Sequence, residues 1–180
     1  MSERLESSID YATDGGGFEI WQSSYITMTG NTLYNNENIL ETGTSGVSCQ
    51  NNVFTNNICS GKSAGSTIDR SVGMIIRSAE NMLIDGNTVT QVDWWTMVVG
   101  GAGQFSSSTD GLTVTNNSFI QAGDKIYALL SDPAGLNWNF DYNQLHSDTN
   151  SFGTDWNNTM YTSLPAWRSA TRLEQHSTAV

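Results

Sequence analysis

The sequence predicts an all-β chain wound into a parallel β-helix, a β-solenoid, of about five to six coils. Two observations carry this reading. One short pattern recurs five times: apolar, any, apolar, any, then Gly, Asn or Tyr, then Asn, any, apolar. A second apolar stretch precedes the first copies at a fixed distance, with Phe18, Ile39 and Met74 each eight residues before the pattern begins.

The copies are Ile26 to Leu33, Val47 to Phe54, Met82 to Val89, Leu112 to Phe119 and Trp138 to Leu145. Alternating apolar and polar residues make a short strand with one buried face. The Gly/Asn-Asn step then turns the chain, because these residues tolerate left-handed backbone. The anchoring residues are Asn31, Asn52, Asn87, Asn117 and Asn143, at spacings of 21, 35, 30 and 26. Unequal spacings around a constant core motif place the insertions in loops. Stacked coils would set each Asn over the last at the inter-strand distance of roughly 4.8 Å, forming an internal amide ladder.

The preceding strands are expected around Phe18–Trp21, Ile39–Thr42 and Met74–Arg77, with Thr96–Gly100 and Ile126–Ser131 in later coils. Two or three short strands per coil fit a solenoid. Leucine-rich repeats would show Leu spacing and helices, and a propeller blade would need about 40 residues. The coils are expected over residues 14–150. Residues 1–13 are read as an N-terminal cap or tail, since Leu5 and Ile9 share one helical face. Residues 151–180 are read as an irregular C-terminal segment packed on the solenoid.

Composition narrows the partners. Seven Lys+Arg against 18 Asp+Glu give a net charge of −11 in 180 residues. With so few scattered cations no basic stripe can neutralise a phosphate backbone or an anionic membrane, so neither nucleic acid nor membrane is expected as a partner. Polarity comes instead from 18 Asn and abundant Ser, Thr and Gly, while six each of Trp, Tyr and Phe separate the chain from disordered acidic tails. Low Lys with abundant Asn, Ser and Thr suggests an extracytoplasmic location, although no signal peptide is recognisable in this chain. Cys49 and Cys59 fit neither a zinc pattern nor a CxxC redox pair; Cys49 reads as a buried thiol on a strand.

Asp14-Gly-Gly-Gly-Phe-Glu19, followed by Ile26…Gly30-Asn31…Tyr34-Asn-Asn36, resembles a coil of the right-handed parallel β-helix proteins of the pectate-lyase-like class. The stretch from Tyr161 to Trp167 and on through Glu174-Gln-His-Ser177 is similar to a segment that follows their last coils. The resemblance implies the architecture and a link to polysaccharides; its members include lyases, hydrolases, epimerases and proteins with no established reaction. Their domains usually hold more coils, so the chain reads as a C-terminal portion or a short member.

Function in a solenoid belongs to outward rows. The repeat alignment places Glu19, Leu40 and Ile75 in one row and Trp21, Thr42 and Arg77 in the next. Trp94, Trp95, Lys125, Tyr127 and Asp132 are expected near the same side. Sugar faces pack on aromatic rings and a guanidinium pairs with uronate carboxylates, so a polysaccharide is the expected partner. A lyase would use Lys125 or Arg77 as base. The other cation, or a calcium held by Glu19 and Asp132, would then stabilise the developing charge. A hydrolase would need two carboxylates, for which Glu19 and Asp132 are the only pair.

Each residue also has a structural reading. Trp94 and Trp95 can pack under a loop, Trp156 and Trp167 under a lid, Lys125 can be a surface lysine, and Arg77 can pair with Glu80 or Asp69. Glu41 would point inward under strict alternation. His146 and His176 read as structural. The alternative function is a non-catalytic glycan-binding or structural module, and an uncapped solenoid end would favour an end-to-end homo-oligomer. Thr27/Thr29 and Thr113/Thr115 raise ice binding, but the aligned coils carry no regular Thr face.

Overall fold

A computed structural model describes residues 16–43, 48–61, 71–100, 109–121, 125–129, 136–147, 152–156 and 159–179. The N-terminal cap expected over residues 1–13 and the candidate Asp132 lie outside them. Among the described residues the chain is an all-β parallel solenoid of about four turns.

Three sheets run the length of the solenoid. The first stacks Gly16–Trp21, Asn38–Gly43, Val72–Ile76, Trp95–Val99, Lys125–Leu129 and Thr154–Trp156 in parallel. It ends on Thr159–Tyr161, which turns back antiparallel. The second stacks Thr27–Thr29, Val53–Thr55, Leu83–Asp85, Thr113–Thr115 and Asn139–Asp141. The third runs from Thr32–Leu33 through Ile58–Ser60, Thr88–Thr90, Ser118–Gln121 and Gln144–Ser147 to Thr178–Ala179. A short pair, Cys49–Gln50 with Ala79–Glu80, fills a corner. Five strands in the second sheet are separated by four windings, fewer than the five to six coils expected, because a hairpin and a helix replace the last winding.

The alternation read from the sequence is the burial pattern. Met28, Phe54, Ile84, Val114 and Phe140 lie in register in the second sheet, all buried. Leu33, Cys59, Val89, Phe119 and Leu145 do the same in the third. Each such side chain removed from water stabilises the fold by about 1.5–3 kcal/mol.

Two sets of left-handed corners recur from coil to coil and bend the chain between sheets. Gly30, Asn56, Gly86, Asn116 and Tyr142 form one set, with φ from 54° to 67°, each immediately before a ladder residue. Tyr25, Asn51, Asn81, Gly111 and Asn137 form the other, each before a second-sheet strand. A bulky residue rarely adopts this geometry, and at Tyr142 the Asp141 side chain accepts the backbone N–H at 2.9 Å.

The ladder exists, but its second rung is Asn57 rather than Asn52. The backbone N–H and the Nδ2 of Asn31 both donate to Asn57 Oδ1, at 2.9 and 3.0 Å. Asn57 does the same to Asn87, Asn87 to Asn117 and Asn117 to Asn143. The spacings become 26, 30, 30 and 26. The second coil carries Asn-Asn at both corners, Asn51-Asn52 and Asn56-Asn57, so sequence alignment alone could slip from one corner to the other. Asn52 instead occupies the position held elsewhere by Ile26, Met82, Leu112 and Trp138. It is fully buried and satisfied by Ile26 N, which donates to its Oδ1, and by Ser23 O, which accepts from its Nδ2.

The C-terminal segment, expected to be irregular, holds an α-helix, Leu164–Thr171, begun by Ser163, whose hydroxyl accepts from Ala166 N, and by Pro165 in the first turn. Trp167 on this helix is fully buried against Tyr127, with ring centroids 6.2 Å apart. It acts as a lid, as its place in the tail suggested.

Candidate functional site

The outer face of the first sheet gathers most of the predicted site residues, in a different order from the one expected. Its central row is Glu19, Glu41, Ile75, Val98, Ala128 and Asp155. Leu40, expected outward, is in register with Phe18 and Met74 and fully buried; Glu41, expected inward, takes its outward place. A one-residue slip exchanges the two faces of a strand.

The slip has a local cause. Ile39 and Leu40, Thr96 and Met97, and Ile126 and Tyr127 are successive residues, and all six are fully buried. Two consecutive inward positions break the alternation at the same step of each strand, as a bulge does. Residues before that step therefore reach the outer face at a spacing strict alternation does not give.

Arg77 follows the strand Val72–Ile76. Its backbone N–H donates to Thr42 Oγ1 at 3.0 Å, and the same hydroxyl donates to Arg77 O at 2.8 Å. Its guanidinium reaches Glu41 Oε1 at 3.4 Å, whereas the Glu80 carboxylate accepts from Gln50 Nε2; Asp69, the other partner expected for Arg77, lies outside the described residues. Both partners are part-exposed, a setting in which such pairs contribute little to stability. Trp21 is in register with Gly43 rather than Thr42, and its ring lies over the glycine: a Cβ there would sit 2.6 Å from the ring. Trp21 is 49% exposed and Glu19 is exposed beside it.

The remaining predicted binding residues divide. Trp94 is 39% exposed and packs at a tilt against Trp95, centroids 5.8 Å apart. Trp95 itself is buried in a small apolar cluster with Val72 and Ala128, flanked by Ile75 and Val98. It is a packing residue rather than an open platform. The Lys125 ammonium lies 4.4 Å from the centroid of the Trp95 ring, a cation–π contact. Tyr127 is corrected outright. It points into the core, fully buried, because it lies beyond the step where the alternation breaks.

Sequence reasoning missed a buried polar cluster beneath the lid. Glu174 is fully buried, and its carboxylate accepts from Tyr127 OH at 2.6 Å, from Asn143 Nδ2 at 3.1 Å and from the Ser177 hydroxyl. Burial pushes Glu174 upward, partly offset by those hydrogen bonds, and the balance is raised. Burial first, then the charge and hydrogen bond of Glu174, push Tyr127 well above the usual phenol range. The Arg168 guanidinium holds the backbone around it, donating to Glu174 O at 2.5 Å and to Ser177 O. On the rim, His176 Nδ1 meets Asp141 Oδ2 at 2.6 Å, and its ring stacks on Tyr142 at 5.0 Å. Burial acts to raise Asp141, but bonds from the His176 side chain and backbone and from Tyr142 N outweigh it, leaving its pKa lowered. The available signal was Ser177-Thr178-Ala179, a weak form of the Asn-x-apolar pattern.

No family model, no curated protein and no solved structure matches this chain. Among the described residues, no group of three or more His, Cys, Asp or Glu could hold a metal ion. No described helix is long and apolar enough to cross a membrane.

Proposed function

We propose that this solenoid binds polysaccharide through the outer face of its first sheet, as a non-catalytic module. The observation that carries the reading is Trp21, half exposed and lying over Gly43, with Glu19 and the Glu41–Arg77 pair in the neighbouring positions. An aromatic ring held on a flat sheet offers a surface for the apolar face of a sugar. The part-exposed guanidinium and carboxylates beside it offer hydrogen-bonding groups for hydroxyls or a uronate. The resemblance to the pectate-lyase-like β-helix class supports the same substrate class.

The chemistry favours binding over a lyase reaction. Arginine stays protonated at any ordinary pH, and Arg77 is engaged by Glu41. The Lys125 ammonium rests on the Trp95 ring, 4.4 Å from its centroid, and is taken up by that contact. Neither residue is set up as the base that a β-elimination requires.

The test is affinity electrophoresis of the full chain in gels containing neutral or acidic polysaccharides, with and without calcium, alongside product masses from the same mixtures. Retardation by at least one polymer that is lost in Trp21→Ala, with every polymer left intact, is the expected result. Unsaturated fragments would replace this reading with a lyase. Unchanged mobility in every gel would remove the glycan.

A further inference from the structure

The corner residue that precedes each ladder rung is left-handed, and four of the five suit that backbone. Gly30, Asn56, Gly86 and Asn116 belong to the two residue types that adopt a positive φ most readily. The fifth, Tyr142, holds φ 58° with a bulky ring on its Cβ. The ring does not fill the core, since Tyr142 is 59% exposed. A strained residue whose side chain stays in water points to a role other than packing.

The ring is nevertheless held firmly. It lies nearly parallel to the His176 imidazole, 9° between the planes and 5.0 Å between the centroids. Asp141 fixes that imidazole: its Oδ1 accepts from His176 N at 2.6 Å and its Oδ2 meets His176 Nδ1 at 2.6 Å. Asp141 Oδ1 also accepts from Tyr142 N, so one carboxylate anchors both residues. Each ring covers one face of the other. With the His176 side chain 62% exposed, the outer faces and edges of the pair stay open. Two exposed amides flank the corner, Asn116 one coil earlier at the same position and Gln144 two residues on. Asn116 Nδ2 donates to Asp85 Oδ1 at 2.8 Å, and Gln144 Oε1 accepts from Ser118 Oγ at 3.4 Å. That leaves one amide oxygen and one amide nitrogen for a ligand.

We propose that the Tyr142–His176 pair is a second carbohydrate subsite, and that it takes a pyranose ring of a neutral polysaccharide. The apolar face of a sugar packs on an aromatic ring, and the two amides serve its hydroxyls as acceptor and donor. A platform already fixed by Asp141 loses little freedom on binding. The neighbouring charge selects against uronates. Asp85 and Asp141 lie in register in the outward row of the second sheet, with Thr115 between them, and like charges disfavour an anionic sugar there. The subsite stands apart from Trp21, which belongs to the first sheet, and the inference does not rest on it.

The test follows the histidine ring signals of the full chain by NMR at constant pH while xylohexaose, cellohexaose or mannohexaose is added. The chain has two histidines, and His146→Gln assigns them. The His176 signal is expected to shift and saturate with at least one of the three sugars. That response is expected to persist in Trp21→Ala and in Tyr142→Phe, which keeps the ring. It is expected to vanish in Tyr142→Asn, which copies the corner of Asn56 and Asn116. The melting temperature of Tyr142→Asn is expected to hold or rise, because the left-handed strain leaves with the ring. A His176 signal indifferent to all three sugars overturns the proposal. So does a response that survives in Tyr142→Asn, one lost in Trp21→Ala, or one larger with hexagalacturonate than with any neutral sugar. A melting temperature several degrees lower in Tyr142→Asn would make the ring a structural residue and overturn it too. Failure of the Trp21 reading shows separately, in the affinity gels.

Discussion

Glu174 receives the amide of Asn143 on both of its carboxylate oxygens, each at 3.1 Å, and so ends a ladder that begins five rungs earlier at Asn31. A ladder whose rungs all donate in one direction must finish on an acceptor, and a carboxyl group offers two accepting oxygens. This explains why a carboxyl group occupies a fully buried site: Asn143, Tyr127 and Ser177 all donate to it. Glu174→Ala is expected to leave those three groups without an acceptor and to lower stability by about 3–5 kcal/mol, read by urea unfolding.

The pH dependence of this site has a definite sign. The folded pKa of Glu174 lies above its ordinary value of 4.5. Its contribution to stability is therefore fully present below that value and is lost as pH rises through the raised folded value. Relative to Glu174→Gln, which does not titrate, wild-type stability should fall as pH rises from about 4.5. Asp141 has the opposite sign, because its folded pKa lies below its ordinary value of 3.8. Its contribution is present above that value and is lost as pH falls through the lowered one. Asp141→Asn should therefore lose stability relative to wild type near neutral pH and approach it in strong acid. Unfolding curves at several pH values check both signs.

Ladder rungs should differ in cost by position. Asn87→Leu strips the acceptor from Asn57 N and Nδ2 and the donor from Phe54 O inside the core. A loss of about 2–3 kcal/mol is expected. Asn31→Leu leaves no described donor without its acceptor, so its cost should stay under about 1 kcal/mol. Equal losses at the two positions would contradict a directional ladder.

Gly43→Ala tests the aromatic platform without deleting it. The added Cβ would lie 2.6 Å from the Trp21 ring and must push that ring away from the sheet. Polysaccharide retardation in affinity gels should weaken as far as it does in Trp21→Ala. The melting temperature should change little, since the ring is already half exposed.

Both cysteines should be silent in the folded protein. Cys49 and Cys59 are buried free thiols, and burial pushes the Cys59 thiol up to about 12. A thiol-disulfide reagent at mildly alkaline pH is expected to label neither until urea unfolds the chain, then both. Rapid labelling of the native chain would contradict the packing of the third sheet, where Cys59 is in register with Leu33 and Val89.

The sequence by itself determined the solenoid, its short strands, the left-handed corners and the existence of an Asn ladder. Each depends on residue type and short-range spacing: alternation buries one face, and Gly or Asn admits a positive φ. Which Asn forms the second rung was decided only when the coils stacked, because Asn51-Asn52 and Asn56-Asn57 are locally equivalent and only the neighbouring coils distinguish them. The same holds for the first sheet. The repeated break in alternation at Ile39-Leu40, Thr96-Met97 and Ile126-Tyr127 turned Tyr127 inward, left Glu41 facing out beside Arg77 and placed Trp95 under Lys125. Glu174 lies furthest from what local sequence can state. In a polar stretch a lone glutamate reads as solvated surface, and only the end of a one-directional ladder, 31 residues back in the chain at Asn143, makes it the acceptor the core requires.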